Sequence, residues 1–407
     1  MPTPPTLAAR RSALPGGVAL GGTALAFASL YLAAGALMPL LVVYQERWHL
    51  SAALVTLTFA VFAGGFLAAL LTLGAVSDHV GRRPVLMSAL GVQLASNVIF
   101  LAAPDIGWVI IGRVVQGVAT GAATTAFTAA LVELAPPNRK KLGAIAGSVG
   151  LTGGLGLGSL LAGLAIQFTV DANSVIFVVL TIVTVVGFVA VALSPETVTA
   201  APGALRSLLP RIAIPAAARS EFSAAVPVIA AIWMLSGLTG GLAPSMVRSV
   251  FMLNSGLLNG LSGFVSPAAA AVIGLAFGRV DPRRAMTIGA RASMCGAVGI
   301  VGGAVTGSLT TMIIGQAVAG AAFGAAFTAS LRLIVPLAQA HQRAEVAAAV
   351  YLVSYLAFGI PIVVAGRIAG SLGVVPTVSW YGIATVPLAL VSLWAQRRLR
   401  RGSPSRP

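Results

Sequence analysis

Residues Gly74 to Pro84 read GAVSDHVGRRP. This short polar stretch carries one acid, Asp78, two arginines, Arg82 and Arg83, and two glycines, Gly74 and Gly81. On either side lie the apolar runs 51–73 and 85–103. Each is about as long as a bilayer-crossing helix, which needs ~20 residues. The stretch therefore reads as a tight hairpin at a membrane surface.

Working outward, the composition supports that reading. The chain is 58% hydrophobic and only 8% charged, against roughly 25% charged residues in a soluble domain. At ~20 residues per span, 407 residues suit about twelve helices. The long continuous runs exclude a transmembrane β-barrel, whose strands alternate over ~10 residues. A net charge of +16 would suggest nucleic acid on a soluble face. Here its distribution points to topology instead. Nineteen of the 25 Lys and Arg fall at Arg10–Arg11, Arg82–Arg83, Arg139–Lys141, 206–219, Arg279–Arg284, Arg343 and the tail from Arg397. All of these are termini or even-numbered loops, whereas the odd-numbered loops hold only Arg47 and Arg248. This positive-inside bias places both termini in the cytoplasm, with the protein multi-pass in the cell inner membrane. The single cysteine, Cys295, cannot form an internal disulfide and reads as a small buried hydrophobe. The run 18–44 is too long for a signal-peptide core and reads as the first span.

Residues 1–17 are Pro-rich and basic, a cytoplasmic tail. Six spans follow at 18–44, 51–73, 85–103, 107–132, 142–168 and 174–194, giving an N-terminal bundle over 18–197. The stretch 198–221, with Pro202, Pro210 and Pro215, is the only long polar connection and is assigned as the linker. The C-terminal bundle covers 222–395, with spans at 222–246, 255–278, 285–307, 310–335, 346–370 and 377–395. The basic tail 396–407, QRRLRRGSPSRP, is expected to be disordered near the anionic leaflet. The halves resemble each other. GLAFGRVDPRR from Gly274 matches GAVSDHVGRR, GQAVAGAAFGAAF from Gly315 matches GRVVQGVATGAAT from Gly112, and AFTAS at 326 matches AFTAA at 126. The expected fold is all-α, twelve transmembrane helices in two pseudo-symmetric six-helix bundles, a plan found in transporters.

With these residues in hand, the chain resembles a major facilitator superfamily transporter, of a drug-efflux-like branch, over almost its whole length. Gly74, Asp78, Gly81, Arg82 and Arg83 match that superfamily's loop 2–3 signature, Gly-x-x-x-Asp-x-x-Gly-Arg-Arg or Lys. The resemblance implies a gating latch at this loop; the plainer reading makes Arg82 and Arg83 topology determinants alone. A charge network with Glu133 and Arg139, on the same membrane face, would give a bistable element. The copy in the second half has Arg279 and Asp281 where Asp and Gly would stand, so the stronger latch is expected in the N-terminal half.

Arg113 lies about two turns into the fourth span, and Gln116, Gly117 and Thr120 share its face. A charge at that depth is costly, so a functional role is the default reading. Arg113-x-x-Gln116-Gly117 resembles the superfamily's helix 4 motif, which implies a role in coupling or in helix packing; the alternative is snorkelling to the outer interface. The fifth span is glycine-rich. Gly154, Gly158 and Gly163 partly match the helix 5 pattern of the family's antiporters, with Ser159 in place of Pro, and close helix packing explains them equally well. All nine acids fall in loops or at span ends, so no membrane-buried carboxylate is visible for proton coupling. Snorkelling accounts for Arg332 and Arg367, while Arg291, two turns into its span, is open to a role in holding an anion or in packing.

The resemblance places the substrate cavity among spans 1, 4, 7 and 10, with help from 5, 8 and 11. The candidates are Phe27, Tyr31, Met38, Trp233, Phe323, Tyr351 and Tyr355, although such aromatic stripes also serve packing or face lipid. An apolar cavity with few acids suits a hydrophobic or neutral solute. Three His and one Cys make no metal cluster, and neither a phosphate-binding loop nor a nucleophile with a base is present. The chain is thus expected to be no enzyme and to need no cofactor beyond a proton or other ion gradient. The expected function is secondary transport of a small organic molecule, efflux by proton antiport, by a monomer in contact with membrane lipid and without nucleic acid. Uptake or facilitated diffusion, and a non-transporting receptor, are the competing readings.

Overall fold

Each apolar run becomes one long helix, because a chain in hydrocarbon must satisfy its own N–H and C=O groups. The computed structural model describes residues 14–210, 212–339 and 342–402, and those residues contain helices and turns without a strand. Twelve of the helices are long and apolar enough to cross a membrane. In chain order they are α1 Gly16–Arg47, α2 Ala52–Leu73, α3 Arg82–Ala102, α4 Ile106–Leu134, α5 Lys140–Phe168 and α6 Ala172–Leu193. After the linker come α7 Ala216–Gly241, α8 Gly256–Ala276, α9 Pro282–Thr306, α10 Leu309–Ile334, α11 Arg343–Leu372 and α12 Val374–Gly402. Side-chain caps start several of them: Asp105 Oδ1 accepts from Gly107 N at 2.8 Å, and Ser51 and Ser255 accept from the third residue on.

Three sequence expectations change. The linker is shorter than 198–221, because α7 begins directly after Pro215. The segment Ala216-Ala217-Ala218-Arg219-Ser220-Glu221 is rich in helix formers, and a proline fits just before a helix start. Glu221 thereby moves from a loop into the helix, where it is buried. The tail from residue 396 is not wholly disordered: α12 continues to Gly402, with Gln396 buried and Arg398 stacked 3.8 Å from the Trp394 ring. Cys295 is exposed rather than buried, on an outward face of α9. The N-terminal residues 1–13 with Arg10 and Arg11, as well as Arg211 and residues 403–407, lie outside the described residues.

The internal repeat is visible as packing. A Cβ on Gly117 of α4 would sit 2.4 Å from the Phe62 carbonyl oxygen of α2, and one on Gly121 would sit 2.2 Å from the Phe66 oxygen. Their counterparts Gly320 and Gly324 on α10 bring the Ser266 and Ala270 oxygens of α8 to 2.0 and 2.3 Å. In both halves glycines one turn apart let the same pair of helices touch backbone to backbone. Between the halves, α2 packs on α11 and α5 on α8.

Candidate functional site

Arg82 is the centre of the hairpin. Its guanidinium donates to Ser77 Oγ at 2.6 Å, pairs with Asp78, and reaches Glu133 Oε1 at 3.2 Å and Oε2 at 3.4 Å. Thr197 Oγ1 donates to Glu133 Oε2 at 2.5 Å. Glu196 completes the group by accepting from the backbone N–H of Arg82 at 2.8 Å and of Arg83 at 3.0 Å. It thus caps α3, whose first N–H groups have no intrahelical partner and whose preceding residue, Gly81, has no side chain to offer. Gly81 has φ +100°, a conformation that favours glycine, and a Cβ there would meet Glu196 Oε2 at 2.6 Å and push that carboxylate aside. Thr125 of α4 donates to the Gly74 carbonyl at 2.7 Å, and the linker's Ala201 N–H donates to the His79 carbonyl at 2.8 Å. Arg83 takes part through its backbone. Arg139 is exposed and has no ion pair with Glu133; instead Lys140 Nζ donates to the Val132 and Glu133 carbonyls at 3.0 and 3.1 Å. Every member of this network belongs to the N-terminal half or the linker. In the C-terminal half, Arg283 of α9 pairs with Glu221 of α7, and Arg332 donates to the Phe277 carbonyl at 3.0 Å.

The face carrying the hairpin holds a cavity of about 730 Å3 between the halves. Asp78, Arg82 and Thr125 form one wall, with the linker's Gly203 beside them, and Glu345, Ala348 and Tyr351 of α11 form the other. Deeper lies a narrower cavity of about 90 Å3. Its walls include Tyr31 and Met38 of α1, Phe59 and Phe62 of α2, Arg113 of α4, Trp233 and Ser236 of α7, Ser266 of α8, Phe323 of α10, and Tyr355 of α11. Trp233 is its hub, with ring centroids 4.8 Å from Tyr355 and 5.2 Å from Phe323. Phe66 stacks on Tyr355 at 4.1 Å, joining the halves. On α2 the deep cavity touches Phe62 and the wide one Leu70; on α11 the corresponding residues are Tyr355 and Tyr351. The Phe66–Tyr355 stack therefore lies at the level that divides the two cavities.

Arg113 does not snorkel. Only 3% exposed, it donates to the Thr58 carbonyl at 3.1 Å and to Gln116 Oε1 at 2.7 Å, and its guanidinium lies 4.3 Å from the Phe62 ring centroid and 5.5 Å from that of Phe59. Two aromatic faces and two acceptors suffice to hold it at this depth, since a desolvated cation–π contact contributes about 2 kcal/mol. Among the described residues no carboxylate faces it. Two further donors, Trp233 Nε1 and Gln116 Nε2, are buried without a partner. Of the cavity candidates, Tyr31, Met38, Trp233, Phe323 and Tyr355 line the deep cavity, whereas Tyr351 lines the wide one. Phe27 is the correction: it is fully buried away from both cavities, packed 5.2 Å from Phe127 and against Gly150 of α5.

On the opposite face the halves touch, beside a smaller groove of about 360 Å3 lined by Glu46 and Val55 of one half and Leu242 and Arg248 of the other. A Cβ on Gly163 of α5 would lie 2.6 Å from the Gly256 carbonyl oxygen and from the Gly260 Cα of α8. Ser159 Oγ donates to the Gly260 carbonyl at 3.1 Å, and Gln167 Oε1 accepts from Ser255 Oγ at 3.1 Å. Glu46 at the end of α1 pairs with Arg248, beyond α7. Gly154 and Gly158 face the other way, onto Ala28 and Leu32 of α1. Helix α5 thus uses one glycine face within its half and another between halves.

Comparison with known proteins now adds identity. The family model described as Major Facilitator Superfamily matches residues 23–360. The chain belongs to the Major Facilitator Superfamily, and its twelve long apolar helices make it a multi-pass membrane protein. Among curated proteins it is 32% identical over 136 residues to the solute carrier family 2 facilitated glucose transporter member 10 of Xenopus tropicalis, covering 33% of this chain and 24% of that protein. It is 38% identical over 95 residues to the citrate-proton symporter of Klebsiella pneumoniae, covering 21% of each. The chain thus spans less than a quarter of the length of either relative. Solved structures share the fold over nearly the whole chain. A peptide transporter POT in complex with alafosfalin superposes with a TM-score of 0.78 at 13% identity, covering 95% of each chain. The inward-facing, unoccupied bacterial homologue of the human lysosomal transporter Spinster gives 0.74 at 15% identity, covering 96% and 99%.

For this superfamily member, sequence reasoning missed Glu196, Thr197, Phe59, Phe62, and the Glu46–Arg248 pair. Glu196 had a readable signal: an acid just beyond a helix end, on the face where α3 starts without a side-chain cap.

Proposed function

We propose that this protein is a secondary transporter that moves a small, flat, largely apolar organic solute across the cytoplasmic membrane by alternating access. The solute carries a hydrogen-bond acceptor such as a carbonyl or carboxylate. The observation that carries this reading is the deep cavity: aromatic walls, one cation and an unpartnered indole N–H, with serine hydroxyls and no carboxylate. A site of donors favours an acceptor-bearing ligand and disfavours a cation. At about 90 Å3 it holds only about three waters, against several hundred Å3 for a drug-sized ligand, so the walls must move apart for a solute to be seated, and the Phe66–Tyr355 stack toward the wide cavity is one contact that would part. The wide cavity on the hairpin face and the closed contacts opposite correspond to one end state of the cycle. With the hairpin side cytoplasmic, as the distribution of Lys and Arg implies, this end state faces inward.

Efflux by proton antiport is the direction favoured by the partial match of Gly154, Gly158 and Gly163 to the helix 5 pattern of the family's antiporters. Uptake is the second reading, supported by the local identity to a citrate-proton symporter. In either direction the hairpin network braces the N-terminal half so that it rocks as a body, and Asp78 faces the first turn of α11 across the cavity. The test is a thermal-stability screen of the purified protein against neutral, anionic and cationic aromatic compounds, followed by flux of the stabilising compounds in proteoliposomes under imposed pH gradients. Stabilisation by cations alone would overturn the substrate class. Binding without flux at every gradient would overturn transport.

A further inference from the structure

We propose that the outward flank of α9 is a binding site for the phosphate of an anionic phospholipid, held by Arg284 and Arg291. A groove of about 620 Å3 there is lined by Asp281, Arg283, Arg284, Thr287, Ile288 and Arg291. Three of its polar side chains are already engaged: Arg283 pairs with Glu221, Asp281 Oδ1 accepts from the Arg284 backbone N–H at 2.8 Å, and Thr287 Oγ1 donates to the Arg283 carbonyl at 2.8 Å. The side chains of Arg284 and Arg291 make no hydrogen bond or ion pair among the described residues, and both are exposed. They stand seven residues apart, on one helix face.

That face meets lipid. Continuing along α9 it presents Ile288, Cys295, Val298 and Val305, all exposed, while the opposite face packs on α10 and α12. Arg291 lies nine residues after Pro282, about 13 Å along the helix. Helix α9 has 25 residues and a length of about 37 Å, against a hydrocarbon core of ~30 Å. A centred, upright α9 therefore places the Arg291 Cα about 10 Å inside the hydrocarbon. Helical side chains tilt toward the N-terminus, which for α9 is the hairpin side, so Arg291 extends back toward Arg284 and the headgroups. A cation there without a protein partner needs an anion at the interface, and a lipid phosphate is the anion that a membrane supplies at that depth. The feature belongs to the C-terminal half alone, since residues 84–102 of α3 carry no charge. A free phosphate could meet Arg284 but has no route to the depth of Arg291.

The experiment titrates the purified full-length protein in neutral detergent with phosphatidylglycerol, phosphatidylcholine or inorganic phosphate, reading the melting temperature and lipid adducts by native mass spectrometry. Phosphatidylglycerol should bind and raise the melting temperature, with the other two without effect. Arg284→Gln/Arg291→Gln should weaken phosphatidylglycerol binding roughly 30-fold. Both side chains are exposed and unpaired, so the variant keeps the wild-type melting temperature in phosphatidylcholine; if it does not, Arg291→Lys is measured instead and should retain binding. Arg139→Ala/Lys141→Ala, which removes as much charge elsewhere on the same face, should bind like wild type. Undiminished binding by the Arg284/Arg291 variant, equal loss in the control variant, or an equal response to inorganic phosphate would each overturn the proposal.

Discussion

Replacing Gly163 by valine should push the transporter out of the state described above. The magnitude follows from what the new side chain meets. A Cβ at 163 would sit 2.6 Å from the Gly256 carbonyl oxygen, 2.6 Å from the Gly260 Cα and 2.9 Å from its N. All three are backbone atoms of α8, so no rotamer change can clear them. The helices must separate by about 1 Å to restore ordinary contact. Overpacking of this kind costs ~1–3 kcal/mol, and the cost is confined to the state in which α5 and α8 touch at this level. A bias of 1–3 kcal/mol shifts a two-state equilibrium by roughly 5- to 150-fold toward the alternative, with the hairpin face closed. The assay is a spin–spin distance across the wide cavity, with labels at Ala75→Cys and Ala348→Cys, on opposite walls. The exposed Cys295 is first replaced by serine. The distance distribution should move to shorter values in Gly163→Val. An unchanged distribution in a folded variant would refute the assignment of this contact to the closed face. Gly158→Val, which clashes with Leu32 of its own half, should lower stability without that shift.

Asp78→Asn should cut flux while leaving membrane expression near normal, because Arg82 keeps Glu133 as its partner; full flux in vesicles would sink the gating role. Glu196→Gln should lower the melting temperature, by about 1 kcal/mol of stability for a weakened α3 cap, and an unaltered transition would show the cap to be dispensable. For Arg113→Ala, gradient-driven flux should vanish, while substrate counterflow persists only at raised substrate concentration because the deep cavity loses its cation; loss of folding would instead mark Arg113 as structural. Trp233→Phe keeps the ring cluster and removes the unpartnered N–H, so it should weaken binding of acceptor-bearing ligands about 5- to 10-fold, on the scale of one hydrogen bond, and leave ligands without an acceptor unaffected.

How much of this was legible beforehand varies with the range of the interaction. Spans could be placed from their apolar runs, since their ends are set by local residues such as Asp105 and Ser255. The start of α7 slipped because Pro215 looks like linker, although a proline is also a good residue at a helix start. Glycines at 117, 121, 320 and 324 announced the repeat, because close helix contact needs small residues at that spacing. Side-chain partners were harder. Of the segment expected to meet the hairpin, Glu133 reaches Arg82, 51 residues away, whereas Arg139 stays exposed. Nothing in the spacing says which side of a helix end an acid will face. Phe27 and Tyr31 are one turn apart on α1, yet one packs against α5 and the other reaches the cavity, a distinction that exists only once the neighbours are in place.

The two kinds of contact found here divide the mechanical work. Charged contacts at the hairpin, Arg82 with Asp78 and Glu133, and the Arg283–Glu221 pair, each join helices within one half. Contacts between halves on the opposite face are mostly uncharged: glycine against backbone at Gly163 and Gly260, Thr56 against Gly366, hydrogen bonds from Ser159 to the Gly260 carbonyl and from Ser255 to Gln167, and, among the described residues, one exposed ion pair, Glu46–Arg248. An exposed pair of that type contributes ~0–1 kcal/mol, so it tips the balance without locking it. Ionic bracing makes each bundle rigid, while the seam between bundles is held by small, short-range contacts that vanish over an ångström or two. A seam of that kind opens at little cost and closes without having to resolvate and re-pair buried charges. On the proposed function, the hairpin can be the most conspicuous stretch of the sequence and still carry no substrate information, because its ion pairs stay within one half, whereas the deep cavity is lined by Arg113, Trp233 and aromatic rings.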